Sequence, residues 1–210
     1  MASSSDSKSK HDNFIYVCFR DYDQARRAYL NALKYNPSHE QVMRDLSSLQ
    51  IFLRDYQGFE ETRRNLLIHS PAGVQNWITL AGAQYLNKNY EGALNSMQTL
   101  FKFYENDTKI LKRHEASEAV LFTCRILEKI GQTKEAIYFL TKHDKLVVDS
   151  VKKTEYYGYF NEQSGEKEQA LEKYEYLLQL NSANLDTYKL IFRAKGINLP
   201  KHSERLSQAD

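Results

Sequence analysis

The sequence predicts an all-α protein, a right-handed superhelical solenoid of about five antiparallel helix pairs. Three observations predict this class. Short sequence elements recur at one fixed interval, the apolar residues within each period keep helical spacing, and the 210 residues include only 3 Pro and 8 Gly. Few turn residues argue against an all-β fold with many hairpins. A fixed period of about 20 to 50 residues is instead typical of repeat proteins.

The period is clearest in tyrosine pairs and prolines. Asp21-Tyr22, Asp55-Tyr56 and Asn89-Tyr90 follow one another at equal intervals, and Pro37 and Pro71 are separated by the same interval. This interval, about 34 residues, is the length of a tetratricopeptide unit, which is two antiparallel helices joined by a short turn. We therefore expect the Asp-Tyr pair to mark the turn within a unit and the proline to mark the start of the next unit.

The first two predicted units cover about residues 6–39 and 40–73. In the first unit, small and aromatic residues of the tetratricopeptide pattern occur at Tyr16, Ala25, Tyr29 and Ala32. In the second unit, Ser38 is a favourable N-cap for the helix that follows. That helix carries one apolar stripe with i, i+3, i+4 spacing, formed by Met43, Leu46, Leu49, Gln50 and Leu53.

Three further units complete the predicted array. They cover about 74–107, 117–150 and 151–184, and a final helix follows at 185–195. Trp77, predicted to be in the core, belongs to the third unit, and GQTKEA and GEKEQA lie one period apart in the last two. About nine extra residues enter at 104–116, either as a longer interhelical loop or as an extended first helix.

The ends and the composition limit the other classes. We expect residues 1–12 to be a disordered lead-in, 13–196 to form the array and 197–210 to be a frayed tail. Neither end shows a clean polar capping helix, so we expect the array to continue in a longer protein. No secretory signal or run of about 18 apolar residues occurs. The net charge of +2 gives no strong argument for nucleic acid or membrane.

No catalytic or cofactor motif is found. The chain lacks the clustered glycines of a phosphate-binding loop, and its six histidines are scattered without metal-ligand spacing. Cys18 and Cys124 match no metal or redox spacing, which favours a reducing compartment and buried thiols. The carboxylate clamp of tetratricopeptide co-chaperones is also absent from the matching first-helix positions. We expect no enzyme, no cofactor and no metal.

Residues 32–94 are more specific than a generic repeat. They contain MRDLSSLQ at 43–50, RDYQGF at 54–59 and ETRRNLL at 61–67, followed by Pro71 and by Trp77 six residues later. This run resembles the auxiliary subunit of the N-terminal acetyltransferase A complex. Segment 161–181 fits that family more loosely.

The resemblance implies a non-catalytic scaffold in the cytoplasm. Members of the family wrap a helical solenoid around a separate catalytic acetyltransferase subunit and dock the complex on the ribosome, so both are the expected partners. Neither a membrane nor a small-molecule substrate is expected. The family's array is much longer than this chain, which corresponds to its N-terminal part.

First helices line the concave groove of such an array, and we predict partner contacts there. The candidates are Arg44, Phe52, Gln75, Ile78, Tyr85, Arg125, Lys152 and Tyr159. Alternatively, these side chains pack on neighbouring helices. Arg63 replaces an aromatic residue of the generic unit, and an internal ion pair with Asp45 or Glu60 is favoured over a partner contact.

Basic residues are candidates for ribosomal phosphate contacts, which need only positive charge. They are Arg26, Arg27, Arg64, Lys189, Arg193 and Lys195. The first three have acidic neighbours, so a solvated face with a Glu60–Arg64 pair is favoured for them. The C-terminal group, continued by Lys201 and Arg205, is opposed in the local sequence only by Glu204.

Two alternatives to the scaffold stay open. The first is a stand-alone tetratricopeptide adaptor that binds an extended peptide in its concave groove. The second is an RNA-binding helical repeat, which would need a continuous basic stripe; the balanced charge argues against it.

Overall fold

The computed structural model describes residues 21–107, 109 and 111–197. These residues form ten α-helices and one short 3-10 turn, and no strand occurs among them. The all-α prediction is therefore confirmed. The expected lead-in, the first helix of the first unit with Tyr16 and Cys18, and all of the expected tail except Ile197 lie outside the described residues. The chain divides into two compact halves between residues 111 and 112.

The N-terminal half contains five helices in which neighbours along the chain pack against each other. They are α1 (Tyr22–Tyr35), α2 (Glu40–Phe52), α3 (Tyr56–His69), α4 (Val74–Leu86) and α5 (Tyr90–Asn106). The core lies between successive helices, and Met43, Leu46 and Leu66 are almost fully buried in it. The apolar stripe predicted on α2 faces this core.

The repeated Asp-Tyr pairs are helix starts. Asp21, Asp55 and Asn89 are the N-caps of α1, α3 and α5, and each side chain accepts a hydrogen bond from the backbone N–H three residues later, at 3.0–3.1 Å. Such caps satisfy one of the amide donors that the first helical turn leaves unpaired. The sequence period thus repeats a helix N-terminus, and the tyrosine is the first helical residue.

Two local predictions were wrong. The N-cap of α2 is His39, whose Nδ1 accepts from Val42 N at 3.4 Å, while the Ser38 hydroxyl bonds Asn36 at 3.1 Å. Trp77 is half-buried rather than a core residue. Its indole Nε1 donates to the carbonyl oxygen of Pro71 at 3.0 Å. The Trp77 side chain therefore closes the turn before α4, which accounts for the six-residue spacing of Pro71 and Trp77.

The C-terminal half contains the other five helices, with a 3-10 turn at Asp144–Leu146 between the second and the third. They are α6 (Arg113–Ile130), α7 (Thr133–Lys142), α8 (Ser150–Gln163), α9 (Lys167–Leu180) and α10 (Leu185–Ala194). In the α8/α9 pair, a Cβ added to Gly158 would lie 2.4 Å from the ring of Tyr174, so glycine permits this close helix crossing.

The extra residues of segment 104–116 lengthen helices as well as the connection. Helix α5 has 17 residues and α6 has 18, whereas α2 and α4 have 13 each. Lys112 N–H donates to Glu115 Oε2 at 2.9 Å, which fixes the start of α6. Both alternatives left open by the sequence, a longer connection and a longer first helix, thus contribute.

Candidate partner-binding surface

First helices of the C-terminal half are joined by hydrogen bonds between residues 31 positions apart. Arg125 Nε of α6 donates to Tyr156 Oη of α8 at 3.4 Å, and Tyr159 Oη of α8 donates to Glu128 Oε1 of α6 at 3.1 Å. Between α8 and α10, Arg193 donates two hydrogen bonds of 2.7 Å to Glu162. We call this set the polar ladder of the C-terminal half.

Glu162 is the most heavily bonded carboxylate of the polar ladder. Besides the two bonds from Arg193, it accepts one from the hydroxyl of fully buried Tyr174 at 2.9 Å. Burial alone would raise the pKa of Glu162, but these hydrogen bonds and the charge of Arg193 hold it below its ordinary value. Burial and the hydrogen bond to Glu162 raise the pKa of Tyr174. The group therefore fixes α8 against both α9 and α10.

Lys152 presents a cation beside the ladder. Its Nζ bonds Glu155 Oε2 at 2.7 Å and lies 5.9 Å from the ring centroid of Tyr156. The hydrogen bond to Glu155 is the main cause of its raised pKa. Of the predicted partner-binding residues, Arg125, Lys152 and Tyr159 are thus brought together on α6 and α8. Aromatic and arginine side chains of this kind are enriched at binding hot spots.

The other predicted partner-binding residues lie on α2 and α4 of the N-terminal half. Arg44 pairs with Glu40 of its own helix at 2.9 Å. Phe52 is 63 % exposed and contacts the ring of Tyr22 at 4.8 Å between centroids. Gln75 is exposed, while Ile78 and Tyr85 are half-buried. Phe52 and Gln75 therefore keep the most accessible surface of this group.

Most of the predicted phosphate contacts have carboxylate partners. Arg26 lies 3.5 and 3.7 Å from Asp23 and Asp55, and Arg64 pairs with Glu60 at 2.7 Å as expected. The C-terminal patch was expected to be opposed only by Glu204, which is wrong: Lys189 pairs with Asp186 at 2.7 Å and Arg193 with Glu162. Within the described part of the chain, Arg27 and Lys195 form no ion pair.

Arg63 does not form the expected ion pair. Asp45 accepts instead from Gln41 at 2.8 Å, and Glu60 accepts from Arg64 and two asparagines. The Arg63 guanidinium lies 5.6 Å from the ring centroid of Phe59 on its own helix. Burial, and then the charge of Arg44, lower its pKa. Arg63 thus replaces the aromatic residue of a generic unit by a cation packed on a ring.

Comparisons with known proteins agree with this architecture. Residues 114–209 match the family described as N-terminal acetyltransferase A, auxiliary subunit. The chain is 31 % identical over 187 residues to the auxiliary subunit NAA15 of the N-terminal acetyltransferase A complex from Arabidopsis thaliana. It is 30 % identical over 187 residues to the NatA auxiliary subunit N-alpha-acetyltransferase 16 from Mus musculus. The chain is thus similar to this auxiliary-subunit family over most of its length.

Solved structures extend the comparison to the fold. A chain in the structure of Naa15/Naa10 bound to HypK-THB matches with a TM-score of 0.77 and 31 % identity, covering 89 % of this chain and 28 % of that chain. MamA matches with a TM-score of 0.65 at 15 % identity, covering 82 % of this chain and 90 % of that one, and the tetratricopeptide protein YrrB with 0.57 at 12 %, covering 80 % and 82 %. These last two support the helical solenoid alone.

The chain spans about a fifth of the length of its curated relatives. The Arabidopsis match includes 87 % of this chain and 20 % of the relative. The mouse match includes 89 % of this chain and 21 % of the relative. The matched stretch is therefore a small part of each of these relatives.

The motifs that carry the family resemblance have structural roles in this chain. Arg54 adopts a left-handed conformation with φ 58°, Asp55 caps α3, and Phe59 is buried. A Cβ added to Gly58 would lie 2.5 Å from Asp55 Oδ2. The run RDYQGF therefore specifies a tight turn and the start of α3.

Glu60 was not singled out as a connecting residue by the sequence. Its carboxylate accepts from Arg64 at 2.7 Å, from Asn87 at 2.7 Å and from Asn89 at 3.0 Å, which links α3 to the turn before α5. The signal that would have found it is the NKNY turn at 87–90, whose two amides need an acceptor. Glu162 escaped notice likewise, because its partner lies 31 residues away.

The described residues contain no group of three or more metal-ligating side chains that could hold an ion. None of the described helices is both long and apolar enough to cross a membrane. Cys124 is fully buried, its Sγ lies 3.8 Å from the carbonyl oxygen of Ala136, and burial raises its pKa to about 12. The thiol thus packs as a small apolar group, as predicted for this residue.

Proposed function

We propose that this chain is part of a non-catalytic scaffold subunit that supports the catalytic subunit of an N-terminal acetyltransferase in the cytoplasm. The observation that carries the proposal is the combined sequence and structural match, 31 % identity with a TM-score of 0.77, to a chain of the Naa15/Naa10 structure. Fold alone would not support a function, since tetratricopeptide arrays serve many partners. A match in sequence as well as in fold does support a proposed function.

The geometry favours a scaffold over an enzyme. Two of the hydrogen-bonded acids, Glu60 and Glu162, join helices to one another and carry lowered pKa values. A general acid or base at neutral pH instead needs a carboxyl pKa raised toward the working pH. Both residues therefore act as structural links. The partner contacts in this proposal come from first-helix side chains. They are exposed Arg125 and Lys152 with half-buried Tyr159 in one half, and exposed Phe52 and Gln75 in the other.

Ribosome docking belongs to the same proposal. Of the six basic residues considered, four are neutralised by carboxylates, so the salt-dependent part of docking in this chain should depend on Arg27 and Lys195. Removing one phosphate-binding cation lowers the dependence of the logarithm of affinity on the logarithm of salt by about one unit or slightly less.

Affinity purification of the full-length endogenous protein, with the co-eluting chains identified by mass spectrometry, tests the proposal. The lysate is divided between low-salt and high-salt washes. We expect an acetyltransferase chain to survive both washes and ribosomal proteins to be lost in high salt, because phosphate contacts weaken with salt.

The absence of an acetyltransferase from both washes would contradict the scaffold function. If a different protein with an extended peptide segment co-elutes instead of an acetyltransferase, the result would support the alternative, a stand-alone adaptor. Retention of ribosomal proteins in high salt would contradict phosphate-mediated docking while leaving the acetyltransferase partnership intact.

A further inference from the structure

Arg63 of α3 is a half-buried cation without a carboxylate partner. It forms no ion pair and no hydrogen bond within the described part of the chain. Charged groups that leave water are ordinarily paired, because an uncompensated buried charge destabilises the folded chain. The contact of the guanidinium with the Phe59 ring, at 5.6 Å from its centroid, offsets only part of this cost. Arg63 is therefore suited to pairing with an anion that comes from outside the described residues.

The tip of the Arg63 side chain is the part that such an anion can reach. Nε is sealed from solvent, whereas Nη1 and Nη2 keep contact with solvent and form no hydrogen bond among the described residues. Helix α3 packs against both α2 and α4. Burial, and then the charge of Arg44 on α2, lower the pKa of Arg63, so the two guanidiniums lie within electrostatic range of each other.

Arg44 can share the same anion. Its side chain is 40 % exposed, and its Nη2 donates to Glu40 at 2.9 Å while Nη1 makes no hydrogen bond within the described part of the chain. Asp45, the next residue, accepts from Gln41 on the same helix at 2.8 Å. A carboxylate has two oxygens and can accept from two guanidiniums, which would also screen Arg44 and Arg63 from each other.

The surface beside Arg44 is open on both first helices. Ser48 of α2 and Gly82 of α4 are one sequence period apart. Ser48 is exposed, and its hydroxyl donates to the carbonyl oxygen of Arg44 at 3.0 Å. A Cβ added to Gly82 would meet nothing within 4 Å. A segment of another protein can therefore lie across α2 and α4 at this level.

Two exposed apolar side chains lie further along the same two helices. Phe52 of α2 is 63 % exposed and Leu86 of α4 is 42 % exposed, and they too are one sequence period apart. Phe52 follows Arg44 by eight residues, or about 12 Å along the helix. In an extended segment, residues four apart point to the same face and lie about 13 Å apart. An acidic and an apolar residue at that spacing match Arg44 and Phe52.

We infer that the first-helix face of α2 and α4 binds an extended segment of a partner protein. An acidic side chain of the segment pairs with Arg63 and Arg44, and an apolar side chain four residues away covers Phe52. The inference goes beyond the scaffold function and does not depend on it, because binding of the segment is measured on the chain itself.

The same residues favour a side-chain carboxylate over two other anions. A C-terminal carboxylate is disfavoured because Ser48 and Gly82 offer no side-chain amide to hold the end of a chain. RNA is disfavoured because a strand carries a phosphate at every nucleotide, and the Glu40 carboxylate beside Arg44 repels those that follow the first.

The probe is a displayed library of nonapeptides with a glutamate and a leucine fixed four residues apart and all other positions randomised. A library with glutamine in place of the glutamate is the reference. Peptides enriched on the 210-residue chain are synthesised and titrated by fluorescence polarisation. We expect enrichment from the glutamate library alone, and peptide affinity at least about tenfold lower in Arg63→Met, because charge-assisted hydrogen bonds are the strong ones.

Arg63→Met separates binding from folding. It keeps a long, unbranched side chain against Phe59 and removes the unpaired charge, so the melting temperature should stay the same or rise while peptide affinity falls. Arg63→Lys keeps the charge without the planar fork and should retain part of the affinity. Arg113→Met is the matched control: it removes an exposed arginine of the other half that forms no ion pair among the described residues, and it should bind as the parent does.

Equal enrichment from the glutamate and glutamine libraries would overturn the inference, and so would equal peptide affinity of the parent and Arg63→Met. If an oligouridylate binds the parent but not Arg63→Met and no peptide is enriched, the guanidiniums serve RNA phosphates and the inference fails. If sedimentation shows a dimer that Arg63→Met dissociates, with no peptide enriched, a second copy of the chain covers this face and the inference also fails.

Discussion

At the scale of single residues, two glycines of first helices differ sharply in what surrounds them. A Cβ at Gly158 of α8 would lie 2.4 Å from Cε1 of the buried Tyr174 ring, whereas a Cβ at Gly82 of α4 meets nothing within 4 Å. Tyr174 is held in place by its hydrogen bond to Glu162, so it has little freedom to move away. The same substitution should therefore have opposite consequences at the two sites.

We predict that Gly158→Ala lowers the free energy of unfolding by about 1–3 kcal/mol, because overpacking forces the ring or the helix to shift. Gly82→Ala should raise it by up to about 1 kcal/mol, the usual gain in helix propensity. Urea titration followed by circular dichroism measures both. Equal effects at the two positions would show that the α8/α9 crossing is not close enough to exclude a methyl group.

The second prediction at this scale concerns Glu162 and the dependence of folding stability on pH. Its folded pKa is lowered by Arg193 and Tyr174, so the stability it contributes is present above its unfolded pKa, near 4.5, and is lost as the pH falls through the folded value. Glu162→Gln should destabilise the chain at pH 7. Its stability should then fall less steeply than that of the parent chain as the pH drops below about 5. Thermal melts from pH 7 to 3 measure this.

Exposed Glu175→Gln is the matched control, and its melting profile against pH should follow that of the parent chain. A Glu162→Gln profile parallel to the parent's would mean that the Arg193 and Tyr174 bonds do not distinguish the folded from the unfolded carboxylate.

At the scale of the helices, the N-cap residues differ in how many hydrogen bonds their side chains form. Asn89 caps α5 by accepting from Gly92 N at 3.1 Å, and its Nδ2 also donates to Glu60 at 3.0 Å. The Asn184 side chain caps α10 by accepting from Asp186 N at 3.1 Å, and this side chain makes no second hydrogen bond among the described residues. The first cap therefore also ties two second helices of the N-terminal half together.

We predict that Asn89→Ala costs about 2 kcal/mol of unfolding free energy and Asn184→Ala about 1 kcal/mol or less. The difference reflects the Glu60 acceptor, which loses one of its donors in the first variant only. Chemical denaturation measures both values. Asn89→Ser, which keeps a capping oxygen but cannot reach Glu60 equally well, should fall between them; a cost equal to that of Asn89→Ala would contradict a separate capping contribution.

Helix starts of the N-terminal half could be predicted from the sequence because the same capping chemistry recurs there at each period. Asp21, Asp55 and Asn89 each start a helix. Interhelical partners could not be predicted in this way. Arg193 pairs with Glu162 across 31 residues, and Arg63 packs on Phe59 rather than on a carboxylate. Such contacts depend on side-chain direction and burial, which a repeat pattern read from one chain does not contain.

At the scale of the whole molecule, the division into two compact halves between residues 111 and 112 matters most for stability. In repeat proteins each helix pair contacts only its neighbours, so stability is approximately a sum of local terms. Phe160 of α8 is fully buried and belongs to the C-terminal half, and Leu66 of α3 is its counterpart in the N-terminal half. Truncating either side chain leaves a cavity and should cost about 2–5 kcal/mol.

We predict that Phe160→Ala accelerates amide hydrogen exchange in α8, α9 and α10 while α2 to α4 keep the protection of the parent chain. Leu66→Ala should produce the reverse pattern. Hydrogen exchange followed by mass spectrometry at peptide resolution measures both variants under identical conditions. Because local opening reports the stability of the part that opens, loss of protection confined to one half would mean that each half unfolds as its own cooperative unit. Loss spread evenly over all the helices in both variants would instead mean that the chain unfolds as one unit, and the sum of local terms would no longer describe it.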